Sequence, residues 1–204
     1  RVQQVVLVGV GGQGILTLSR IIALAAAKTG YSVRIGETLG MAQRFGTVIS
    51  YVRFGEEVYS PLPIGCVDTV IALELCECLR VWRYISSKTL VVVNRKLIPS
   101  ILASLSFLPR YQNYTLPNEE SILDELRKMS HRVIAVDGYK ALEAQRLSSR
   151  SLNTYMLGIA VAKDGIALKT DYIEESISEL LPQRAVEHAI KAFRLGLETG
   201  MKIP

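Results

Sequence analysis

Residues 5–27, VVLVGVGGQGILTLSRIIALAAA, constrain this chain more than any other stretch. A β-branched apolar run stops at Gly9, Gly11, Gly12 and Gly14, and a helix-like apolar pattern follows at once. Unbroken apolar character is the mark of a strand buried on both faces, as in a parallel sheet. Residues 14–30 read as a helix closed by Gly30 after Lys28, and YSVRIG, residues 31–36, reads as the next strand. The order predicts a β-α-β unit with a G-x-G-x-x-G turn at Gly9, Gly11 and Gly14. In such a unit Gly9 permits the tight turn, Gly11 lets backbone approach a phosphate, and Gly14 lets helix and strand pack closely. Gly12 and Gln13 add a flexible backbone position and a side-chain amide, and Glu37 is placed to meet a ribose hydroxyl. A turn built for packing alone would carry the same glycines.

The rest of the chain keeps alternating. Residues 46–55 (GTVISYVRFG) and 56–61 (EEVYSP) read as a hairpin-like pair around Gly55. Residues 68–74 and 89–94 are further buried strands separated by a helical stretch, 75–87. Residues 118–129 read as a helix capped by Asn118, with acids in its first turn. A strand at 131–138 leads into helices at 139–147, 153–163, 171–181 and 183–198. The expected fold class is α/β: a Rossmann-like, mostly parallel sheet flanked by helices, with a helical C-terminal portion, all in one domain over 1–204. Pro109 to Pro117 reads as a surface connection rather than a domain boundary.

Composition removes several function classes. The longest membrane-like run, IIALAAA, is far short of the roughly 20 residues of a spanning helix, and no secretory leader pattern opens the sequence. The net charge is +5, but Arg80, Arg83, Lys88, Arg95, Lys96, Arg127, Lys128 and Arg132 form no dense block. No nucleic-acid motif accompanies them. The basic surface suits acidic ligands or an acidic electron-carrier protein. Cys66, Cys76 and Cys78 make no disulfide framework and fit a reducing cytoplasm. His131 and His188 read as structural, and Trp82 as a core or interface anchor.

A second constellation lies at 36–55, where glycines at 36, 40 and 46 bracket a polar segment with Glu37, Gln43 and Arg44. A loop there would sit beside the glycine turn in a doubly wound sheet. GVGGQG followed by GMAQR resembles the gamma-type subunit of 2-oxoacid:ferredoxin oxidoreductases, and most of all the small (beta) subunit of the indolepyruvate-type enzymes. The segments YSPLPIGCVDTVIALELCECLR and AFRLGLE are also similar to that family. Phe45 departs from the family pattern, which carries a small residue after the arginine.

The resemblance implies a subunit of an enzyme that oxidatively decarboxylates a 2-oxoacid, forms acyl-coenzyme A and reduces ferredoxin. It implies that thiamine diphosphate and iron–sulfur clusters reside in a large partner subunit, because VDG at 136–138 is no complete thiamine signature and three cysteines supply no cluster. It also implies coenzyme A contact through Gly9, Gly11, Gly12, Gln13, Gly14, Glu37, Gln43 and Arg44, with no catalytic residue and no metal ligand in this chain. Two other readings stay open from the residues: a free-standing NAD(P)-binding Rossmann oxidoreductase and a nucleotide-sensing module.

Overall fold

A computed structural model describes residues 1–39, 46–97 and 118–204. Its centre is a six-stranded sheet in the order β2-β3-β1-β4-β5-β6. β1 (Gln3–Val10) pairs in parallel with β4 (Thr69–Ala72), β4 with β5 (Leu90–Asn94), and β5 with β6 (Arg132–Val136). On the other side of β1 lies β3 (Thr47–Gly55), antiparallel to both β1 and the edge strand β2 (Ser32–Leu39). Five strands therefore run one way and β3 alone runs against them, so the sheet is mixed but mostly parallel.

Helices cover the two faces unequally. α1 (Ile15–Lys28) follows β1; α2 (Leu75–Leu79) and a 3-10 turn (Trp82–Tyr84) follow β4. α3 (Glu119–Met129) precedes β6, and α4 (Gly138–Ala144) follows it. After a second 3-10 turn (Ser149–Ser151) come α5 (Leu152–Ala162), α6 (Thr170–Leu180) and α7 (Gln183–Lys202). Val5, Leu7, Val52, Ile71 and Val92 form one core with α1, α5, α6 and α7. Val6, Val8, Val70, Val91 and Val93 form the other with Leu75, Cys78, Ile122 and Leu126. Alternate residues of the same strands feed opposite cores, which is why these strands read as unbroken apolar runs.

α5 is the buried hub, with every residue from Leu152 to Ala160 buried. α7 lies against it with backbones in contact. A methyl group at Gly158 would overlap the Phe193 carbonyl, and one at Gly196 would overlap the Tyr155 carbonyl. Only glycine permits that approach.

Three expectations change. The partner of 46–55 is not 56–61: β3 pairs with β2 and β1 instead, and residues 56–61 hold no strand. Alternation marks a strand without naming its neighbour, and Pro61 removes a ladder donor. The 56–67 segment crosses the outer face of β2, β3 and β1 instead, where Arg53 donates to the Ser60 carbonyl at 2.7 Å and Gln4 brackets Ile64. The helix expected over 75–87 is α2 plus a separate 3-10 turn. Glu37 belongs to β2 and not to a loop.

Candidate functional site

Chain direction around the sheet picks out one crevice. From β1 the chain enters α1 on one face, and from β4 it enters α2 on the other, so the carboxyl ends of β1 and β4 flank a topological switch point. The glycine turn closes over it. Gly12 and Gly14 have φ of 93° and 81°, the left-handed region that favours glycine.

Gln13 fills the crevice itself. Its Oε1 accepts the Val10 N–H at 2.8 Å, and its Nε2 donates to the Leu73 carbonyl and the Tyr139 hydroxyl, both at 3.1 Å. Asn94 extends this brace by donating to the Leu73 carbonyl at 3.2 Å and accepting the Gly138 N–H at 2.9 Å. A Cβ at Gly9 would stand 2.7 Å from the Gln13 Oε1, so the first glycine makes room for this amide. The Gly11 N–H donates to the Gly46 carbonyl at 2.9 Å, which ties the glycine turn to the start of β3. Gly14 serves helix–helix packing rather than helix–strand packing: a Cβ there would lie 2.6 Å from Nδ2 of Asn153, at the start of α5.

Beyond the glycines opens a cavity of about 480 Å³. Gly12, Gly14 and Thr17 form one wall, Ser148, Arg150 and Asn153 another, and Arg184 and His188 a third. These are the first turns of α1, α5 and α7, or the residues just before them. The starts of α1 and α7 carry no side-chain cap hydrogen bond, whereas α5 continues from a 3-10 turn capped by Ser148 and its Thr154 N–H donates to Asn153 Oδ1 at 2.8 Å; none of the three carries an acid in its first turn. The cavity lining contains no carboxylate. Ser148 joins two of these elements: its Oγ accepts the Arg150 backbone N–H, capping the 3-10 turn that runs into α5, and its own backbone N–H donates to Nδ1 of His188 on α7, each at 3.3 Å.

Another cavity, about 410 Å³, lies at the opposite end of the strands, by the amino ends of β1, β4 and β5. It mixes Lys88, Lys163 and His131 with Glu56, Asp68 and Asp164, and so has no dominant charge.

The structure brings Gly9, Gly11, Gly12, Gln13 and Gly14 together. Glu37 is exposed on β2, opposite Ser50 of β3, which in turn faces Leu7 of β1. One strand thus separates it from the strand that carries the glycines. Gln43 and Arg44 lie outside the described residues, in the connection that ends at Gly46. Arg150, Arg184 and His188 escaped the sequence reading, because 136 or more positions separate them from Gly14 and no motif marks them. Of the cysteines, Cys66 is exposed and Cys78 is buried. Burial, aided by the Glu74 carboxylate, pushes the Cys78 thiol up to about 12. Burial also raises the half-buried Cys76, with Glu74 and Glu77 adding to the effect.

A family model described as pyruvate ferredoxin/flavodoxin oxidoreductase matches residues 4–199. The chain belongs to that family. Within the pyruvate ferredoxin/flavodoxin oxidoreductases it is 36% identical over 201 residues to the indolepyruvate oxidoreductase subunit IorB of Pyrococcus horikoshii, covering 98% of this chain and 96% of that one. It is thus a subunit of the 2-oxoacid:ferredoxin oxidoreductase type. The keto/oxoacid ferredoxin oxidoreductase gamma subunit of Geobacter sulfurreducens shares the fold at TM-score 0.69 and 20% identity, with 98% of each chain covered. The 2-oxoglutarate:ferredoxin oxidoreductase of Magnetococcus marinus, solved with 2-oxoglutarate, coenzyme A and succinyl-CoA bound, matches at TM-score 0.73 and 17% identity. All of this chain is covered there, but only 32% of that longer one. Among the described residues no helix is long and apolar enough to cross a membrane, and no group of three or more His, Cys, Asp or Glu could hold a metal ion.

Proposed function

We propose that residues 1–204 act as one gamma-type domain, the subunit without redox cofactors in a cytoplasmic indolepyruvate or arylpyruvate ferredoxin oxidoreductase. The complex oxidatively decarboxylates the 2-oxoacid, transfers the acyl group to coenzyme A and reduces ferredoxin. This chain's part is to receive coenzyme A at the glycine turn, with Gly9, Gly11, Gly12, Gln13 and Gly14 forming that turn and Gln43 and Arg44 as further contacts; Glu37, a strand away on β2, would reach the ligand only from outside the turn. The observation that carries the reading is the start of α1 at the switch point, which has no side-chain cap and no first-turn acid and opens beside a cavity without carboxylates, an arrangement that favours a phosphate-bearing ligand. The full-length likeness to an indolepyruvate oxidoreductase subunit supports the substrate class.

The residues present do not fit an iron–sulfur cluster. Such a cluster needs four thiolates, whereas this chain has three cysteines, two of them with thiols raised above their ordinary range. Thiamine diphosphate and the clusters therefore fall to a large partner subunit, and ferredoxin meets the complex through it. The face that meets the partner carries Tyr59, Leu62, Ile64 and Trp82, which are large, apolar and exposed. Trp82 is no core residue; at 57% exposure it is available as an interface anchor.

The NAD(P) reading loses its geometry. The ribose-binding acid of a dinucleotide site stands on the strand beside the glycine-bearing one, whereas β3 separates Glu37 from β1.

Co-expression with a thiamine-bearing partner tests the proposal. The complex should reduce ferredoxin or dye in a coenzyme A-dependent way, with indolepyruvate and phenylpyruvate preferred over pyruvate and 2-oxoglutarate. Gly11→Val should weaken coenzyme A binding while the circular dichroism stays native. Acceptor reduction by the purified chain alone would overturn the assignment, as would full coenzyme A binding by a folded Gly11→Val.

A further inference from the structure

We infer that Tyr139 is a positioning residue for coenzyme A: through Gln13 it holds the glycine turn in the shape that receives the ligand. The inference rests on the coenzyme A reading above and adds to it a residue outside the turn, 126 positions from Gln13 in sequence.

Val10 and Gln13 are joined twice. The Gln13 backbone N–H donates to the Val10 carbonyl at 3.1 Å, and the Val10 N–H donates back to the Gln13 Oε1 at 2.8 Å. This pair closes the base of the turn and leaves Gly11 and Gly12 at its apex, where Gly12 is exposed. The backbone also dictates which way the amide faces. The Val10 N–H requires an acceptor and the Leu73 carbonyl requires a donor, so amide oxygen and nitrogen cannot exchange places. Both hydrogens of Nε2 are then committed, one to the Leu73 carbonyl and one to the Tyr139 hydroxyl, each at 3.1 Å. Gln13 has no hydrogen left to donate to a ligand. Its action is on the turn.

Val10 and Leu73 reach Gln13 from the ends of β1 and β4, whereas Tyr139 comes from α4. Asn94 sets its place. This buried amide at the end of β5 donates to the Leu73 carbonyl at 3.2 Å and accepts the Gly138 N–H at 2.9 Å. A closed ring results: Gln13 to Tyr139, along the chain to Gly138, then Asn94, the Leu73 carbonyl and Gln13 again. Each link restrains the others. Among the described residues the Tyr139 hydroxyl makes no other hydrogen bond, so Gln13 is where its removal is felt. Without it the ring is open, and the amide is free to swing from Val10 and loosen the base of the turn.

The fold does not depend on this link. β1 pairs with β4 from Val5–Thr69 to Val8–Ala72 through backbone alone, and the Tyr139 ring packs against the core whether or not it carries a hydroxyl. A turn that holds its receptive shape for only part of the time binds more weakly by that fraction. The loss of one such hydrogen bond corresponds to about three- to tenfold.

Tyr139→Phe removes the hydroxyl and keeps the ring. By NMR on the full chain, amide exchange at Val10 and Gln13 should quicken about three- to tenfold, with the amides of β4 and β5 unchanged. In the complex reconstituted with its thiamine-bearing partner, KM for coenzyme A should rise about three- to tenfold, with kcat and KM for indolepyruvate unchanged. In a Gln13→Met background, its fold checked by circular dichroism, adding Tyr139→Phe should change neither readout further.

Wild-type exchange and wild-type KM in Tyr139→Phe overturn the inference. So does faster exchange spread evenly over the sheet, which marks a residue that serves the fold, and so does an undiminished effect in the Gln13→Met background. A complex indifferent to coenzyme A overturns the functional reading instead. In that case, faster exchange confined to Val10 and Gln13 would leave the control of the turn by Tyr139 standing.

Discussion

The N-terminus of α3 and the ring of helix starts around the cavity are built from opposite choices. At α3, Asn118 Oδ1 accepts the Ser121 N–H at 2.8 Å, Glu119 and Glu120 occupy the first turn, and Arg127 and Lys128 the last. Its ends are neutralised by its own sequence. At α1 and α7 the ends carry no side-chain cap and no first-turn acid, and Arg184 adds to the positive potential of α7. The chain has the means to neutralise a helix end and does not use them at these two, which line one cavity. Departures from local rules of this kind mark functional sites.

Substitutions that push these two regions toward each other should separate fold from site, beginning with the largest effect. Gly196→Val would drive a side chain into the Tyr155 carbonyl and part α7 from α5. It should cost at least about 3 kcal/mol in urea unfolding; a near-native midpoint would mean that the helix contact does not hold the cavity together.

Gly14→Ala comes next. It places a Cβ at φ 81° and 2.6 Å from Asn153 Nδ2. Left-handed strain and crowding together predict a loss of about 2–4 kcal/mol, accompanied by weaker binding of coenzyme A. Asn118→Ala should cost about 1 kcal/mol through the lost cap, with coenzyme A kinetics unmoved. A change in KM for coenzyme A in that variant would remove the contrast between the regions.

The smallest effect has the opposite sign. Arg184→Glu places an acid where α7's dipole favours one and should stabilise the chain by about 0.3–1 kcal/mol, while coenzyme A binding weakens. A variant that is both destabilised and fully able to bind would show that Arg184 answers the fold and not a ligand.

Much of this architecture is written locally. β1, β4 and β5 are legible because burial on both faces keeps Val5–Val8, Val70–Ala72 and Leu90–Val93 apolar, and α3 because its cap, charges and apolar stripe agree. The glycine turn is legible for the same local reason. Strand partnership is not: Val48, Ser50 and Val52 alternate in a way that fits any neighbour, and the choice of β1 and β2 over 56–61 is made by tertiary packing.

At the site, the sequence shows which glycines turn the chain but not what they face. Gln13 looks like a ligand-facing amide, yet its side chain is engaged with Val10, Leu73 and Tyr139. The arginines of the cavity arrive from the 3-10 turn before α5 and from α7, elements whose placement beside α1 depends on long-range packing. His188 is invisible as a site residue for that reason; in sequence it is one polar position on an amphipathic helix.

The glycine contact between α5 and α7 carries a mechanical consequence. Where two helices touch through side chains, rotamer changes let them slide or spread; where backbone meets backbone, no such adjustment is left. Gly158 and Gly196 thus lock the two helices into one rigid body. The cavity walls that Asn153 and His188 contribute from those helices are therefore set when the chain folds, and neither can move without the other.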